Sequence, residues 1–90
     1  MSEPNKYLIV ETYDCECVVV FNSILDHSKV ATGMKVIAAG FCWLPDELND
    51  QVFAWGKSTI LKIESRGIID AKLILRNLCP HLTKQKENHE

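Results

Sequence analysis

Five side chains in this sequence have the chemistry to bind or process a small anion. Lys57 and Ser58 stand in a polar corner, Gly56-Lys57-Ser58-Thr59, and Ser65 and Arg66 precede an apolar helical stretch. A lysine supplies a point charge, a guanidinium a two-pronged donor, and a helix entrance free N–H groups; phosphate and carboxylate use all three. His27 is the fifth, with Asp26 beside it to tune its proton affinity. An imidazole there is a candidate general base or phosphoryl acceptor. Each has a plainer alternative. Lys57 and Ser58 could form a solvated bend, Ser65 a helix cap, Arg66 an ion pair with Glu64 or an acid of the 46–50 loop, and His27 an exposed residue at a helix start.

The Gly-Lys-Ser-Thr corner is not a Walker A loop. That motif requires G-x-x-x-x-G-K-[ST] opening a helix. Here Ala54 and Trp55 precede Gly56 in a strand-like run, and the residues after Thr59 also read as extended. The nest of N–H groups that holds a nucleotide is therefore not expected.

The cysteines are Cys15, Cys17, Cys42 and Cys79. Cys15-Glu16-Cys17 lacks the C-x-x-C spacing of a thioredoxin-like site. In an extended segment both thiols point to one face and could supply two metal ligands. No second close pair supports a zinc site, so half-buried thiols are expected, with Cys42 and Cys79 as small buried hydrophobes. Cys79-Pro80-His81 places a thiol at a helix C-terminus, which raises its pKa and disfavours a nucleophile. Asp46, Glu47 and Asp50 lack EF-hand spacing. The motifs H-E-x-x-H, G-x-S-x-G and G-x-G-x-x-G are not present, and neither a metal nor a cofactor is expected.

These residues need a scaffold. Ninety residues make one domain, 1–90, with flexible ends expected over 1–5 and 81–90. A chain of this size buries only about 60–65% of its unfolded surface. The apolar fraction is 47% and the charged fraction 24%, which argues against disorder. Lys and Arg number 10 against 12 Asp and Glu, so no general electrostatic attraction to nucleic acid exists. No apolar run is long enough to span a membrane, and the first residues lack a signal-peptide core, so a cytoplasmic protein is expected.

Aromatic and β-branched content predicts strands over 6–13 and 16–21 as a hairpin, then a short helix over 24–32 ending near Gly33. Residues 34–44 read as a central strand whose Ala38, Ala39 and Gly40 allow close approach by a helix or ligand. An acidic loop, 45–50, leads to an antiparallel strand over 51–55, with Phe41 and Trp43 facing Phe53 and Trp55. Residues 59–63 form another β-rich segment. A helix over 67–79 has Ser65 as its N-cap, Asp70 early and Arg76 late, as the macrodipole favours. The fold class is α+β: a two-layer sandwich with a mainly antiparallel sheet of about four strands and two helices on one face.

From Gly40 to Pro80 the order of a strand containing glycine, a polar loop, Val52-Phe53-Ala54-Trp55-Gly56-Lys57-Ser58 and a helix ending in proline resembles the strand–loop–Y-G-x-S–helix region of the Janus/ocnus phosphohistidine phosphatases. That resemblance places the family's catalytic histidine after the first of these strands. This sequence has Leu44-Pro45-Asp46 there, which argues against phosphatase activity.

Two functions follow as expectations. One is an interaction or accessory domain, a possible homodimer that shields Tyr13, Phe21, Phe41, Trp43, Phe53 or Trp55. The other is a small-anion or phosphoryl-ligand binding protein or enzyme centred on 56–67.

Overall fold

The computed structural model describes residues 3–80; the tail expected over 81–90 lies outside them. The chain builds β1 (Asn5–Glu11), β2 (Glu16–Phe21), α1 (His27–Val30), β3 (Val36–Trp43), β4 (Phe53–Trp55), β5 (Lys57–Ser58), β6 (Ile63–Glu64) and α2 (Ile68–Leu78). Four strands form one sheet in the order β2-β1-β3-β4, and β5 pairs with β6 separately. All pairings are antiparallel. The domain is compact and α+β, a four-stranded antiparallel sheet with helices packed on it, as its pattern predicts.

The first hairpin follows from two β-rich runs meeting at a tight turn, where the Thr12 N–H donates to the Cys15 carbonyl at 2.8 Å. Glu11 and Glu16 then face each other across the ladder, an unfavourable like-charge pair. Each has a cation: Lys35 reaches Glu11 at 2.7 Å and Arg66 reaches Glu16 at 2.8 Å. The β3–β4 pairing sets Phe41 against Trp55 and Trp43 against Phe53, the expected aromatic ladder.

Alternate residues of β1 feed two apolar clusters, because strand side chains repeat every two positions. Tyr7 and Ile9 join Ala38, Cys42, Val52 and, from α2, Ala71 and Ile74. Leu8 and Val10 join Ala39, Ala31 just after α1, and the partly buried Val30, Leu61 and Ile63.

Gly40 is where the chain crosses itself. A Cβ at that position would run into the Trp55 carbonyl oxygen and lie 3.1 Å from the Ser65 Cβ. Only glycine lets the segment leaving β4 pass so close. Gly56, at φ +84°, then turns the chain into β5.

Several boundaries differ from the sequence reading. The first helix is one turn, not 24–32; the Asn22 side chain captures the Ile24 N–H at 2.9 Å and holds that stretch in a turn. Residues 59–63 are not a strand of their own: 59–62 turn, and only Ile63 begins β6. Gly67, rather than Ser65, occupies the N-cap position of α2. Cys42 is buried as expected, whereas Cys79 is only partly buried.

Candidate functional site

One row of residues crosses the sheet: Phe21 on β2, Lys6 on β1, Phe41 on β3 and Trp55 on β4, each paired with the next. His27 sits against this row. Its ring meets Phe21 edge-on at a centroid distance of 5.5 Å and Phe41 at 6.0 Å. Phe41 in turn stacks on Trp55. The imidazole is 5% exposed, so its orientation is fixed by packing and by one hydrogen bond.

That bond sets the chemistry. The Nε2 of His27 lies 2.9 Å from the Gly40 carbonyl oxygen. A carbonyl only accepts, so Nε2 carries the proton and the neutral ring keeps a lone pair on Nδ1. Among the described residues Nδ1 has no hydrogen-bond partner. Burial pushes the His27 pKa below its ordinary value, and the Lys6 charge adds to this; the Gly40 bond and Asp26 oppose them. The imidazole is therefore neutral at pH 7.

His27 lines a cleft of about 170 Å³ with Lys6, Asp26, Phe41, Lys57, Ser58, Thr59 and Ile60. Lys6 donates to the Leu25 carbonyl at 2.8 Å, which leaves two of its three ammonium protons for other partners. Ser58 is 2% exposed, and its Oγ accepts from the Leu61 N–H at 3.3 Å. Its own hydroxyl proton has no acceptor among the described residues. Among the described residues, two cations, a neutral imidazole and the hydroxyl residues Ser58 and Thr59 thus border one small cavity, with Asp26 the single acid.

The other two predicted anion-binding residues are engaged elsewhere. Arg66 donates from Nε to Asp70 Oδ1 at 2.6 Å, and from Nη2 and Nη1 to Glu16 at 2.8 and 3.3 Å. Glu16 and Asp70 hold the guanidinium protonated far into alkali, and Arg66 keeps the Glu16 carboxyl below its ordinary range. The Ser65 Oγ lies 2.6 Å from the Tyr7 hydroxyl and accepts from the Gly67 N–H at 2.9 Å. Tyr7 donates to Asp70 Oδ2 at 2.5 Å, and the Arg66 N–H reaches the same oxygen at 2.8 Å. Burial, then the Asp70 hydrogen bond, drives the Tyr7 pKa well above its usual value. This closed network clamps the entrance of α2 to β1 and β2. Arg66 therefore pairs with Glu16 and Asp70, not with Glu64 or the 46–50 loop.

Lys57 and Ser58 line the cleft with His27; Ser65 and Arg66 do not, although the Ser65 N–H donates to the Gly56 carbonyl at 2.9 Å, because their side chains turn to Tyr7, Glu16 and Asp70. Sequence reasoning missed Lys6. Its signal was present: a lysine at the head of the Lys6, Leu8, Val10 face, where an apolar residue would be ordinary. Cys15 and Cys17 lie at the far end of β1, remote from the cleft. No group of three or more potential metal ligands occurs among the described residues.

No family model, curated protein sequence or solved structure matches this chain. No helix among the described residues is long and apolar enough to cross a membrane.

Proposed function

We propose that this domain binds a phosphoryl group or a similar small oxyanion in the Lys6–His27–Lys57–Ser58 cleft, with His27 as its reactive group. The observation that carries this reading is a neutral histidine whose proton is fixed on Nε2 by Gly40, bordering the same cavity as two lysines. The lysines offset the charge of an anion, and Ser58 can donate a hydrogen bond. The Nδ1 lone pair can accept a proton from an attacking water, or attack phosphorus itself.

The Trp55-Gly56-Lys57-Ser58 corner belongs to the stretch that resembles the Janus/ocnus phosphatases. The resemblance expected a histidine near 44–46. This chain carries Leu44-Pro45-Asp46 there, so the case for chemistry at His27 rests on its neutral ring and on an Nδ1 unpartnered among the described residues, not on the resemblance. Phosphorus NMR of the protein mixed with phosphoramidate tests this. The expected result is catalysed phosphate release that His27→Asn abolishes. Equal release by the variant would remove His27 from the chemistry.

A second reading has its own support. Phe53 and Ile68 are 45% and 72% exposed and line an apolar groove with Val52, Ala71 and Leu75. Such a surface suits an accessory domain or a homodimer. A sedimentation mass of one chain at micromolar concentration would rule out a stable dimer.

A further inference from the structure

The first hairpin carries a second chemical feature that the cleft does not use. Cys15 and Cys17 are free thiols whose sulfurs lie 3.7 Å apart. Cys15 is exposed, and Cys17 is partly buried at the start of β2. The turn that presents them is well held. The Thr12 N–H and hydroxyl both donate to the Cys15 carbonyl, at 2.8 and 2.9 Å, and the Thr12 hydroxyl also lies 3.3 Å from the Cys15 sulfur. A disulfide has an S–S distance of about 2.0 Å, so the two sulfurs already stand near one another and must draw closer to bond. Cys42 is fully buried, and burial pushes its thiol up to about 11, which removes it as a competitor.

We propose that Cys15 and Cys17 form a reversible intramolecular disulfide by exchange with a low-molecular-weight disulfide such as oxidised glutathione. The Cys15 thiolate attacks one glutathione sulfur. The glutathione S–S bond breaks, one glutathione thiolate leaves and takes up a proton, and a mixed disulfide remains on Cys15. Cys17, as its thiolate, then attacks the Cys15 sulfur and releases the second glutathione thiol. The protein dithiol is oxidised by two electrons, and one oxidised glutathione becomes two reduced ones. Exposure of Cys15 admits the reagent, and the adjacent sulfur makes the second step intramolecular. A ring closed over a single intervening residue is strained, so the bond is a labile one, easily returned to the dithiol.

Intact-mass spectrometry across reduced and oxidised glutathione mixtures, with a metal chelator present, tests the proposal. The oxidised mixtures should yield a chain lighter by two hydrogens. Peptide mapping should put both Cys15 and Cys17 in the linkage, and excess reduced glutathione should reverse it. Cys17→Ser should stop at the glutathione adduct on Cys15, while Cys15→Ser should form no internal link. Accumulation of that adduct in the unsubstituted protein would overturn the proposal. So would a link involving Cys42 or Cys79, a link between two chains, or no oxidation. Cys15 lies in an exposed turn and Cys17 is partly buried in β2, so amide NMR spectra retaining native dispersion confirm that each result comes from a folded chain.

Discussion

Replacing Asp70 with asparagine tests whether the Tyr7–Ser65–Arg66–Asp70 network is the clamp that fastens α2. The carboxylate is fully buried and accepts three hydrogen bonds, from the Tyr7 hydroxyl, the Arg66 N–H and the Arg66 Nε–H. An asparagine has nearly the same shape but one accepting oxygen. If that oxygen keeps Tyr7 and the Arg66 N–H, the amide NH2 points at the Arg66 Nε–H, donor against donor. One charge-assisted bond is lost, at about 1.5–3 kcal/mol, and the two that remain weaken with the charge gone. Breaking a fully buried ion pair would cost about 3–5 kcal/mol. Arg66 is 28% exposed and retains Glu16, so the cost falls below that of a fully buried pair. The expected loss is about 2–3 kcal/mol, an appreciable share of the stability of any small domain. In a thermal melt it amounts to a fall of about 10–20 °C. Urea denaturation followed by tryptophan fluorescence gives the free energy directly. A change below about 0.5 kcal/mol would refute the clamp. Phosphate binding in the cleft should survive the substitution under conditions where the variant is folded.

Three further outcomes are expected. Gly40→Ala should cost about 1–3 kcal/mol in urea titrations, since the new methyl must displace the Trp55 backbone; unchanged stability would mean the crossing is looser than described. His27 should make the domain acid-sensitive. The unfolded chain takes up its imidazole proton near about pH 6.5, and folded His27 only at lower pH. Between those values the unfolded state binds more protons, so stability falls as pH drops. The loss between pH 7 and 5, measured by urea titration, should be smaller in His27→Gln, and equal losses would contradict the buried neutral ring. Lys57→Ala should weaken phosphate affinity about tenfold in calorimetric titrations, the worth of one exposed cation against a divalent anion; an unchanged affinity would take Lys57 out of the site.

Much of the fold was legible because its sheet is written in local pattern. Tyr7 to Val10, the Glu16–Phe21 run and the aromatic pairs of β3 and β4 each carry strand propensity and a register. The helix at 68–78 shows its apolar face directly. What escaped was anything decided by side chains far apart in sequence. Asn22 curtailed the first helix through one hydrogen bond. Asp70, read as a macrodipole partner, is a buried acid held by Tyr7, sixty-three residues away. The candidate site divided in the same way. Lys57 and Ser58 were identified by type, and His27 by its rarity, but their meeting depends on Gly56 turning the chain under Phe41. Ser65 and Arg66 looked equally suited to an anion, but Tyr7 and the Gly67 N–H hold Ser65, and Glu16 and Asp70 hold Arg66.

The cleft itself is tested most directly by titrating inorganic phosphate into isotopically labelled protein and following amide and imidazole nitrogen resonances. Saturable shifts should concentrate at Lys6, His27 and residues 57–60, with the His27 Nδ1 resonance among the most displaced. Shifts centred on Ser65, Arg66 and Gly67, or no saturable shifts at all, would contradict the proposed site.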